Sequence, residues 1–135
     1  MKWGCVMPAR YVIHKDHRLI INYGWGHLTF SDFRGQQEAM IKDPDFDPSF
    51  DQLVDVTQAS TLELSVEEAK TIARRGIFLP TSRRAVVATN PDVFAMGRLM
   101  DVYHAMATNR TQVRVFYDRK EALKWLGREG LPAEG

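Results

Sequence analysis

The sequence predicts an α/β fold: a mostly parallel sheet opened by an N-terminal hairpin, with helices packed on it, in the order β-β-α-β-α-β-α-β-α. Three observations carry that expectation. Short runs rich in β-branched residues alternate with segments of helical length and period. Ala85 to Thr89 (AVVAT) is a continuous apolar run, as expected of a strand covered on both faces. Two capping boxes, Thr29-x-x-Asp32 and Ser65-x-x-Glu68, mark helix starts, each offering reciprocal hydrogen bonds to free backbone amides.

Taken in order, Arg10 to His14 and Arg18 to Tyr23 are two strand-like runs joined by the polar turn Lys15-Asp16-His17. Gly24-Trp25-Gly26 is expected to end the second strand and let the chain bend. Thr29 or Ser31 caps a helix over roughly Asp32 to Lys42, which stops at Asp43-Pro44 because a residue before proline avoids the α region. Phe50 to Thr57 reads as a buried strand, followed by a polar loop and the helix that Ser65 caps, running to about Arg75. Glu67 and Glu68 open that helix, Arg74 and Arg75 close it, and Gly76 stands at its C-terminal cap. Pro91, after Asn90, starts a long helix to about Ala107, with Val93, Met96, Gly97, Met100, Tyr103, His104 and Ala107 on one stripe. Val113 to Tyr117 is the last strand, and Arg119 to Leu126, capped by Asp118, is the last helix.

The chain has 135 residues, 44% hydrophobic and 26% charged, which suits a single globular domain. That domain is expected over 9–128, with an N-terminal extension over 1–8 and a C-terminal tail over 129–135. A formal net charge of +1 lacks the excess of Lys and Arg that marks a general nucleic-acid binder. A single cysteine, Cys5, allows no intramolecular disulfide and no cysteine cage for zinc. No run approaches the ~20 apolar residues of a membrane span, and MKWGCVMPAR has no apolar signal-peptide core, so a reducing cytoplasm is the expected compartment.

Four stretches carry a likeness to a known family: DPDFDPSFDQLVDVT (43–57), SVEEAK (65–70), SRRAVVA (82–88) and VRVFYDRKEALKWL (113–126). Together they resemble the SpoIIAA-like branch of the STAS superfamily, the fold of sulfate-transporter and anti-sigma-factor-antagonist domains. The likeness runs from Tyr11 to Gly127. It implies a non-catalytic regulatory or protein-interaction module of bacterial type. In the antagonist proteins, a partner kinase phosphorylates a serine at the start of the helix after the third strand. The corresponding stretch here is Glu63-Leu64-Ser65-Val66. Glu63 stands where the antagonists have aspartate, and Ser65 where they have their second serine. Leu64 and Val66 replace the first serine and the glycine.

The resulting candidate surface for a protein partner or phospho-switch is Asp55, Thr57, Ser60, Glu63 and Ser65, at the carboxyl end of a strand where α/β proteins gather ligands. Ser65 is first of all a helix cap. Arg83 and Arg84 are the candidates for binding an anion, since paired guanidiniums match carboxylate and phosphate geometry. Trp25, Met96, Met100 and Tyr103 are the candidates for an apolar pocket between the long helix and the sheet, because methionines suit adaptable cavities. Such a pocket is the alternative reading, a small-ligand or lipid-binding domain, and the branch's fold likeness to CRAL-TRIO lipid-binding domains points the same way.

The spacing of Asp43, Asp45, Asp47 and Asp51 fails the calcium-loop test, since Pro48 and Val54 fall at the required glycine and glutamate positions. His14 and His17 lack a third metal ligand nearby, so neither a metal nor a cofactor is implied. No nucleophile elbow, Walker loop or dinucleotide fingerprint occurs, and no enzyme class is expected. The exposed edge of the opening hairpin makes a homodimer a candidate assembly.

Overall fold

Among the described residues, five strands lie side by side in chain order: β1 (Ala9–His14), β2 (Leu19–Thr29), β3 (Asp51–Glu63), β4 (Arg84–Val87) and β5 (Val113–Phe116). The computed structural model describes residues 8–108 and 112–131. Residues 1–7 of the extension expected over 1–8, Cys5 among them, the tail beyond 131, and the side chains of Arg74, His104 and Ala107 lie outside what is described. β1 and β2 are antiparallel, joined by one 3-10 turn at Lys15–His17, which Arg18 leaves in the left-handed region at φ 51°. The other three pairings are parallel. Each crossover carries one helix: α1 (Phe30–Lys42), α2 (Val66–Arg74) and α3 (Pro91–Thr108), and α4 (Arg119–Trp125) follows β5.

The strands sort their side chains by parity, because successive residues point to opposite faces. Leu19, Ile21, Leu53, Ala85 and Val87 face α4 and pack with Ala122, Leu123 and Leu126, all at most 5% exposed. The opposite residues, Ile20, Val54, Val56 and Val86, face α1, α2 and α3, with Met40, Phe33 and Val93 among the helix residues they meet. One helix therefore covers one face and three cover the other. Each fully buried Leu or Ile stabilises the fold by roughly 1.5–3 kcal/mol relative to exposure.

The helix starts are as the sequence predicts. Thr29 caps α1 and Ser65 caps α2, each with both halves of the capping box formed. Two expectations need correction. Gly24-Trp25-Gly26 does not end β2, which continues to Thr29 through register shifts at Tyr23/Trp25 and Gly26/His27. Gly26 sits at φ 68°, a conformation that a side chain disfavours, and the irregularity is absorbed within the strand. Likewise β3 does not stop at Thr57. Residues 58–63, expected as a polar loop, run beside Trp25 to Thr29, all of them paired except Ser60, which falls at the second register shift. The result is a two-stranded parallel ribbon that runs beyond the ends of β4 and β5, so the polar residues there are ladder positions.

Candidate functional site

Between the sheet and the three-helix side lies a cavity of about 130 Å³. Its walls are mostly apolar: Leu28, Val54, Val56 and Val86 from the sheet, Phe33 and Met40 from α1, Ile72 from α2, and Val93, Gly97 and Met100 from α3. Gly97 lets α3 come down onto the sheet. A Cβ there would stand 3.4 Å from Val115 Cγ2 and 3.7 Å from Val86 Cγ1, so only a small residue fits without displacing them.

Polar residues enter this wall from α1 at Asp32, Gln36 and Gln37, and from the sheet at Asn22, Gln52 and Arg84. Gln52 Nε2 donates to Asn22 Oδ1 at 2.6 Å, and Asn22 Nδ2 donates to Gln36 Oε1 on α1 at 3.1 Å. Asn22 is 9% exposed and Gln52 7%, so this amide chain is inside the protein and its members occupy one another. Arg84 stands across from Gln52 in the β3–β4 register, on the same face. Its guanidinium lies 5.2 Å from the centre of the Phe78 ring. Its Nε is buried with no hydrogen-bond partner, and among the described residues no carboxylate lies within ion-pair distance of it. Burial pushes its pKa down from 12.5 to about 10. What surface Arg84 retains opens onto the cavity and onto a neighbouring cleft of about 380 Å³, which also share Gln52, Phe78 and Val113.

The two arginines expected to act together are on opposite sides of the sheet. Arg83 points to the α4 side, where its Nη1 and Nη2 donate to the carbonyls of Trp125 and Leu126 at 2.5 and 3.0 Å. Its backbone N–H donates to Asp51 Oδ1 at 2.7 Å. Arg128 Nη1 donates to the other oxygen of Asp51 at 2.6 Å. Arg83 thus holds the end of α4, and Arg84 alone reaches the cavity.

The partner candidates form three separate groups. Asp55, 8% exposed, accepts from Arg119 Nη1 at 2.9 Å and from the N–H and hydroxyl of Thr57 at 3.0 and 2.7 Å. Arg119 Nη1 also donates to the Tyr23 hydroxyl at 3.2 Å, so Asp55, Thr57, Tyr23 and Arg119 form one hydrogen-bonded cluster at the carboxyl end of the strands. Ser60 and Glu63 lie on the ribbon. The Ser60 carbonyl accepts from Asn90 Nδ2 at 3.1 Å, and Glu63 lies 2.9 Å from His27 Nε2 in an exposed pair. Ser65 caps α2, its hydroxyl accepting from Glu68 N–H at 3.0 Å.

Of the apolar candidates, Met100 lines the cavity; Trp25, Met96 and Tyr103 are not among its described lining residues. The ring of Tyr103 instead faces Lys70 Nζ at 5.4 Å. Sequence reasoning missed Asn22, Gln36 and Gln52. A signal existed for Asn22, a polar residue inside the apolar run of a strand that the predicted fold covers on both faces. Among the described residues, no group of three or more His, Cys, Asp or Glu could hold a metal ion. None of the described helices is long and apolar enough to cross a membrane.

This architecture belongs to a known class of α/β fold, the SpoIIAA-like fold, as the resemblance over 43–57, 65–70, 82–88 and 113–126 implied. A solved structure that shares it is an uncharacterised protein of the DUF3478 family from Shewanella loihica. The two match with a TM-score of 0.61 at 16% identity, over 90% of this chain and 95% of that one. At that identity the likeness speaks for the fold and for nothing finer. No protein-family model matches this chain. No curated protein matches it either.

Proposed function

We propose that this chain is a STAS-like binding module that takes a small apolar molecule into the cavity between the sheet and α1, α2 and α3. It acts without turnover and in the cytoplasm. The observation that carries this reading is the cavity itself. A dry apolar space approaching 150 Å³ accepts a benzene-sized guest, and this one, at about 130 Å³, is of that order. The SpoIIAA-like fold supports a non-catalytic module in general, and the cavity gives that module an occupant.

The test uses a neutral ligand series (benzene, toluene, hexan-1-ol) followed by calorimetry and by one-dimensional NMR of the cavity methyl groups. Saturable binding to the native protein is expected. Met100→Trp, which fills the cavity from α3, should abolish it while the circular dichroism of the fold is kept. Absence of saturable binding by any of the three would overturn the reading.

A second reading, contact with a protein partner, is favoured by the exposure of Ser60, Thr61 and Glu63 along the β2–β3 ribbon. Self-association through that ribbon predicts a dimer that Glu63→Lys weakens, measured by sedimentation velocity. A monomer at every concentration would count against it.

A further inference from the structure

We infer that the occupant of the cavity is a small apolar monocarboxylate whose carboxylate pairs with Arg84 and whose hydrocarbon body lies against Val86, Val93, Gly97 and Met100. The inference rests on reading the cavity as a ligand site and adds the chemistry of the ligand's head. Arg84 is the decisive residue. Its Nε is buried without an acceptor, no carboxylate of the described residues answers its charge, and it stands in the cavity wall. A guanidinium nitrogen taken out of water normally has an acceptor, because leaving such a donor unmet is expensive. The missing partner is an acceptor with one negative charge.

Geometry narrows the class further. A guanidinium presents parallel N–H donors that match the two oxygens of a carboxylate. The neighbouring amides offer little more, since Gln52 and Asn22 are bonded to each other and Asn22 also to Gln36. One cation with few free donors suits a monoanion with two oxygens better than a phosphate, which carries more charge and needs more donors. The volume of about 130 Å³ limits the body to the size of a benzene ring or a short alkyl chain. The adjoining cleft, which shares Arg84 and Phe78 with the cavity, gives the charged head a route in from water.

The experiment measures Kd for matched pairs, benzoate against benzyl alcohol and hexanoate against hexan-1-ol, on the wild-type chain and on Arg84→Met, by calorimetry at pH 7. The wild-type chain should hold each acid at least tenfold more tightly than its alcohol. Arg84→Met should bring that ratio to about one while the alcohols keep their affinity within a few-fold. Acid binding to the wild-type chain should also fall as pH drops through the ligand's own carboxyl pKa, a readout that needs no variant. Equal affinity for acid and alcohol in the wild type would overturn the monocarboxylate assignment and leave the cavity reading standing. A preference for acid that survives in Arg84→Met would overturn the role of Arg84. Failure of all four compounds to bind would overturn both readings.

Discussion

Replacing Arg84 by methionine should make the ligand-free protein more stable, which is an unusual expectation for a half-buried, sheet-borne arginine. The magnitude follows from its surroundings. A guanidinium pKa pressed from 12.5 to about 10 corresponds to roughly 3 kcal/mol against the charged form. The Phe78 ring, 5.2 Å away, returns about 1 kcal/mol through its π face. Methionine keeps most of the stem's packing and carries no charge, so the net gain is about 2 kcal/mol. With an unfolding entropy near 2.1 cal/mol/K per residue, that is about 7 °C in Tm for 135 residues. The assay is thermal and urea unfolding of protein refolded from denaturant to strip any ligand, with the m-value checked for constancy. A Tm that is unchanged or lower, with native circular dichroism and an unchanged m-value, would mean the guanidinium is paired or hydrated where it stands. The argument from an unanswered charge would then be wrong.

Tyr11 gives a pH signature. Burial, together with its hydrogen bond to Asp43 Oδ2 at 2.8 Å, raises its pKa from 10.0 to about 12. The folded pKa is the higher one, so the stabilisation is complete below pH 10 and is lost as pH rises through about 12. Tyr11→Phe should therefore lower stability by about 1 kcal/mol at pH 7, with the gap to wild type closing in alkaline urea titrations. A gap that is constant to pH 12 would count against this. Ser65→Ala should cost about 1 kcal/mol by removing the α2 cap, and Ser65→Asp should restore most of it in a urea melt. A variant indistinguishable from wild type would show that the capping box is idle. Asp55→Ala should cost about 3 kcal/mol, because it removes the carboxylate that Arg119 pairs with at 2.9 Å in a largely buried setting. Adding Arg119→Met should recover part of that loss, and strict additivity in the double-mutant cycle would contradict the coupling.

The fold was legible because its signals are local and agree with one another. Capping boxes at Thr29 and Ser65, Pro91 after Asn90, and the apolar run after Arg84 each fix an element without reference to the rest. What escaped was the length of β2 and β3. Glycines at 24 and 26 and the polar run 58–63 resemble loop chemistry, and only the pairing between the two stretches makes them strands. Half of the site was equally within reach. Arg83 and Arg84 are adjacent, and the period of two sends them to opposite faces of a strand, Arg84 with Val86 and Arg83 with Ala85. What no local pattern could give was the absence of a carboxylate there. An arginine's partners come from distant segments, as Asp51 and Arg128 illustrate at 77 residues' separation.

The uneven distribution of helices bears on how the molecule is made. The face bearing Leu19, Leu53, Ala85 and Val87 has α4 as its cover, and α4 follows every strand and the other three helices described. During synthesis the parallel strands and their three crossovers emerge first, with one oily side of the sheet still bare. That side closes only when Ala122, Leu123 and Leu126 arrive and Arg83 and Arg128 fasten the helix end to Asp51. Native folding thus waits for residues 119–128 to clear the ribosome, and a chain truncated before Arg119 is a natural client for a chaperone.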